Sequence, residues 1–154
     1  MTDFTPRLFT DDAAIVHVGE GLLGRTLPRP EWTHEGHLAA STWIARECPE
    51  IDAAQELGAI ISAYNESVGG INDDTQGYHD TITRVYVEAV RVHLLRRDAQ
   101  EPLVKTVNAL LTSPLGKRDL PMRFYSTDRL FSIPARRKFI DPDLLPLSAM
   151  VEIG

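Results

Sequence analysis

Five stretches of helix-period apolar residues, four of them closed by proline or by a glycine pair, set what this 154-residue chain can fold into. Apolar side chains three and four residues apart line one face of a helix, and proline ends the helix by removing a backbone donor and clashing with the preceding turn. The first predicted helix starts at Asp11 or Asp12 and runs to about Arg25 before Pro28 and Pro30, with Ile15, Val18, Leu22 and Leu23 as its stripe. Gly19, Gly21 and Gly24 weaken it, since each costs roughly 1 kcal/mol relative to alanine in a helix interior. The second, capped by Thr33, spans His34 to about Glu47 ahead of Pro49, with Leu38, Ser41, Ala45 and Cys48 at helical spacing.

The third runs from about Ile51 to Val68 and stops at Gly69-Gly70. Residues 71–77, INDDTQG, have the composition of a loop. The fourth carries Tyr78 to about Arg97, where the Val and Thr content would also suit a strand but the length favours helix. The fifth spans about Glu101 to Thr112 and ends at Ser113 and Pro114. From Leu115 onward, short apolar runs and further prolines predict an arm that wraps the bundle and covers Phe124, Tyr125, Leu130, Phe131, Phe139, Leu144 and Leu145. A short helix capped by Ser132 is expected near Ala135 to Phe139, and a strand pair is an option within the arm. The fold class is therefore all-α: one domain over residues 1–154, an antiparallel bundle of about five helices (11–113) with an irregular C-terminal arm (114–154) packed on it.

The net charge of -6 repels a nucleic-acid backbone, so nucleic acid is not an expected partner, and the basic run Arg136, Arg137, Lys138 reads as a solvated face. No run approaches the roughly 18 uncharged apolar residues of a membrane span, and residues 1–12 lack the pattern of a secretory leader, so the expected location is the cytoplasm. The one cysteine, Cys48, has no partner for an internal disulfide and reads as a small core residue. No Gly-rich phosphate loop, GxSxG elbow or CxxC pair is present.

The residues with chemical reach lie in EWTHEGH (31–37) and GYHD (77–80). Histidines three apart share a helix face, so His34 and His37 converge. Short connections make neighbouring helices antiparallel, which sets the starts of the second and fourth helices at one end and brings His79 beside that pair. His93, about 21 Å further along by helical rise, lies outside, as does His17. A helix N-terminus favours the neutral imidazole that ligates metal, and three imidazoles with an open position suit a divalent ion such as zinc or iron. Glu31 and Asp80 would complete the ligand set or act as general base. Tyr64, Asn65, Tyr78 and Thr81 would bind a small ligand, and Arg123 and Arg129 would hold an anionic group on it. Metal-free use of the histidines as acid, base or hydrogen-bonding groups is the variant of this reading. The alternative is a non-catalytic binding or protein-interaction module, a homodimer among its forms, in which the histidines serve as polar helix-start residues or bond to backbone carbonyls.

At EWTHEGHL, AYNESVG, GYHDTITR and YSTDRLFSIPARRKFIDPDLLPL the sequence resembles a family of small bacterial helical proteins, over about residues 11 to 147. The resemblance implies common membership and attaches no substrate or reaction.

Overall fold

The computed structural model describes residues 5–154, and every regular element among them is helical. Five longer helices, α1 (Asp12–Leu23), α2 (His34–Glu47), α3 (Ala53–Ser67), α4 (Asp80–Leu95) and α5 (Leu103–Leu111), form the bundle. Two short ones, α6 (Thr127–Leu130) and α7 (Ile133–Arg137), belong to the arm, together with 3-10 turns at Pro114–Gly116, Leu120–Arg123 and Leu147–Glu152. A further 3-10 turn, Arg29–Glu31, joins α1 to α2.

Four of the helices begin where a short polar side chain meets a free backbone donor. Asp11 accepts from the Ala14 N–H, Thr33 from Gly36, Asp52 from Gln55 and Ser132 from Ala135. Such caps each stabilise a helix start by about 1 kcal/mol. Arg136 and Arg137 close α7 rather than opening it, which sets their charge at the favourable end of the helix.

The glycines that weaken α1 locally are required by its packing. A Cβ on Gly19 would sit 2.1 Å from the Trp43 ring, and one on Gly21 would sit 2.8 Å from Leu27. The missing Cβ at Gly19 lets α2 lie close against α1, and that at Gly21 lets the connection after α1 fold back onto it at Leu27, so a local cost of roughly 1 kcal/mol per glycine is offset by tertiary contact.

Helix α2 is the centre of the molecule. Leu38 and Ala39 join a core with Ile15, Val85, Ala89, Val107, Leu110, Phe124 and Tyr125, while Ala40 and Ile44 join a second with Val18, Leu22, Leu57, Ile61 and Tyr64. Its buried hydroxyls stay within the helix: Ser41 donates to the His37 carbonyl at 2.7 Å and Thr42 to Leu38 at 2.8 Å. Cys48 is buried at the far end, and Ala45 is exposed.

The arm is tied down by side chains of the bundle that reach its backbone carbonyls. The Tyr86 hydroxyl donates to Lys117 (2.6 Å), and Arg96 donates to Val151 (2.6 Å) and Ile153 (2.7 Å). Phe124, Tyr125 and Leu130 are buried as expected of a wrapping segment. Phe131, Leu144 and Leu145 are not: they stay 54%, 55% and 46% exposed, because the short α6 and the turn-rich stretch around Pro142 and Pro146 hold them on the outer side. No strand forms among the described residues. No helix among them is long and apolar enough to cross a membrane.

Candidate functional site

The first turns of α2 and α4 meet at one end of the bundle, beside the last turns of α3. Between them lies a cavity of about 340 Å³ lined by Trp32, Thr33, His34, His37, Ile61, Asn65, Gly77, Tyr78, His79, Ile82 and Thr83. All three histidines of the two motifs thus face one space, although they are 42 to 45 positions apart across the motifs. The cavity lies at the lower end of the range of small-molecule sites.

The three rings differ in what they touch. The Nε2–H of His34 donates to the Gly116 carbonyl at 2.8 Å, and its ring meets Tyr86 edge-on. His79 caps α4: its Nδ1 accepts the Ile82 N–H at 3.1 Å while its Nε2–H donates to the Leu130 carbonyl at 2.8 Å. Both nitrogens of His79 are therefore engaged by backbone, and its tautomer is set. His37 packs between Trp32 and Tyr86, at 5.6 and 6.0 Å between ring centres. Its Nε2 is closed to solvent and has no hydrogen-bond partner among the described residues.

Burial, more than the helix ends, keeps these rings neutral. Desolvation is the first cause that lowers the pKa of His34 and of His79, opposed in each by the carbonyl it bonds. His37 is pushed down to about 4 by burial and then by the neighbouring His34, with no hydrogen bond to oppose the shift.

As arranged, the histidines do not form a ligand set. No group of three His, Cys, Asp or Glu side chains among the described residues comes together in a way that could hold a metal ion. A metal at His79 would have to displace either the α4 cap or the Leu130 carbonyl, and one on the Nε2 of His34 would displace Gly116.

The carboxylates of the motifs lie elsewhere. Glu31 points away from the cavity and takes His17 at 2.9 Å. Asp80 accepts the Tyr78 hydroxyl (2.7 Å) and the Phe139 N–H (2.7 Å), so it fastens the arm and orients Tyr78. Burial and that carboxylate both raise the pKa of Tyr78.

Of the residues expected to bind a ligand, Asn65 and Tyr78 line the cavity. Tyr64 does not, because its hydroxyl is spent on the Leu27 carbonyl (2.8 Å) inside the core. Thr81 faces the arm, accepting the Ile140 N–H at 3.2 Å, and Thr83, two residues on, lines the cavity instead. Arg129 donates to the Asp141 carbonyl at 2.7 Å and Arg123 is exposed; neither lines the cavity. At the end of α5, Asn108 bonds both backbone groups of Phe9 rather than a ligand.

Trp32 is a lining residue absent from the ligand set expected of the sequence. The signal was available in its position: the residue just before a cap is held over the first helical turn, where His37 also lies. Comparison of the chain with protein-family models, with curated proteins and with solved structures gave no match.

Proposed function

We propose that this protein binds a small molecule, without a metal, in the cavity between the starts of α2 and α4, and that His37 is the group that recognises it. The observation that carries this reading is the Nε2 of His37, buried and unpartnered on a ring that forms part of the cavity wall. Leaving such a group unpaired costs about 1–3 kcal/mol, a cost that a ligand would recover by moving the side chains over that nitrogen aside and bonding to it.

Binding fits the ring better than proton transfer does. A general base works best with a pKa near the operating pH, and a ring that protonates only at about 4 is a weak base at neutrality. It remains a good hydrogen-bonding group, offering one donor and one acceptor.

The test is a thermal-shift screen of small neutral, acidic and basic compounds against the wild type and His37→Leu, with metal analysis of tag-free protein alongside. At least one compound class is expected to raise the wild-type Tm and leave that of the variant unmoved. Identical responses from both proteins across the screen would remove the reading. Stoichiometric metal, lost in both His37→Ala and His79→Ala, would replace it with a metal centre formed by rearranged rings.

A further inference from the structure

We infer that the occupant of this cavity is an uncharged, flat, hydrogen-bonding ring: a nitrogen heterocycle or cyclic amide of one or two rings. The inference rests on the reading above and narrows it to a chemical class.

Its first support is the charge of the walls. Not one of the lining residues is an Asp, Glu, Lys or Arg. Several charged groups that flank the lining residues are already committed. Arg118 meets Glu35 at 3.5 Å, Arg136 donates to the Gly77 carbonyl at 2.9 Å, and Asp80 holds the Tyr78 hydroxyl and the Phe139 amide. A carboxylate entering the cavity would give up its hydration and find no side-chain counter-ion, and burying an unpaired charge is far more costly than burying a neutral polar group.

Two helix starts face the same space and favour negative charge. Their pull is reduced because each already spends a first-turn N–H on its own cap: Gly36 on the Thr33 hydroxyl at 3.0 Å, and Ile82 on His79 at 3.1 Å. The remaining partial charge suits the carbonyl of a neutral ring.

The second support is shape. Trp32, His34, His37, Tyr78 and His79 give the cavity flat walls, with Ile61 and Ile82 as apolar floor. Rings with few rotamers present planar faces at low entropic cost, and aromatic surfaces pair well with another ring in stacked or edge-on arrangements. Thr83 and Asn65 add neutral polar groups at the margin.

Matched pairs test the class directly. Nicotinamide and nicotinate, and uracil and orotate, are titrated into the full chain at pH 7.5, read by calorimetry and by the imidazole nitrogen resonances of His37. A neutral member is expected to bind at least about tenfold more tightly than its carboxylate and to move the His37 signals saturably. His37→Leu, and the nearly isosteric Thr83→Val should the first variant fail to fold, are each expected to weaken that binding. A carboxylate that binds as tightly as its neutral partner and shifts His37 overturns the charge inference while leaving the cavity a ligand site. If none of the four compounds moves the His37 signals, the ring-binding inference falls, while the broader ligand reading is decided by the thermal-shift screen above.

Discussion

At the start of α2 a threonine hydroxyl satisfies the first-turn N–H, whereas at the start of α4 the histidine ring does that work itself. The two helix starts share one cavity, yet His37 and His79 play opposite roles in it. Thr33 serves α2, and the His37 ring, one turn inside that helix, keeps an unpaired nitrogen. Because no Ser, Thr, Asp or Asn precedes Asp80 in the capping position, His79 is consumed at both nitrogens, one on its own helix and one on the arm. A histidine that caps its own helix, as His79 does, has one ring nitrogen committed from the outset, whereas His34 on the Thr33-capped helix is committed by the distant Gly116 carbonyl instead.

The largest effect that distinguishes His37 from His79 is in acid. An unfolded His37 takes up a proton near 6.5, but the folded ring does so only near 4. Between those values the unfolded chain holds more protons, so stability falls as pH drops from about 6.5 to about 4. The His37 contribution to that loss is roughly 3 kcal/mol, and His37→Leu lacks it. Urea melts of both proteins at pH 7 and pH 4 measure the difference, and parallel losses in the two would show that His37 is not the proton acceptor in question.

Next in size is the cap of α4. His79→Ala removes the bond to Ile82 and the bond to Leu130 together and is expected to cost about 2 kcal/mol. His79→Asn, which keeps a capping oxygen but cannot reach the arm in the same way, recovers roughly half. Equal destabilisation by the two substitutions would mean that the arm contact, not the cap, dominates.

Thr33→Ala is the smallest of the three, at about 1 kcal/mol by thermal melting. It sharpens the contrast because the His37 imidazole resonances are expected to stay neutral and unbonded at pH 7 in this variant. Transfer of His34 or His37 into the vacated cap would break the distinction between the two helix starts.

Much of this arrangement was legible in the residues. The helix starts at Thr33 and near Tyr78 follow from capping chemistry and the loop composition of INDDTQG, and the meeting of those starts follows from the alternation of short-linked helices. The site assignments that did not carry over share a cause. Glu31, Tyr64, Thr81, Arg123 and Arg129 were near the motifs in sequence or in helix order, but each was claimed or turned aside by something distant: Glu31 by His17, Tyr64 by the Leu27 carbonyl, Thr81 and Arg129 by the arm's backbone, and Arg123 by its exposed turn.

Residue order alone determined where helices begin and end, because capping, helical period and proline act over a few residues. It also determined that the two histidine motifs share one end of the bundle. Only the tertiary structure decided which ring nitrogens remain unspent. That outcome depends on where the carbonyls of Gly116 and Leu130 come to rest, 82 positions from His34 and 51 from His79, and a hydrogen bond of 2.8 Å is decided by positions to within an ångström rather than by sequence spacing.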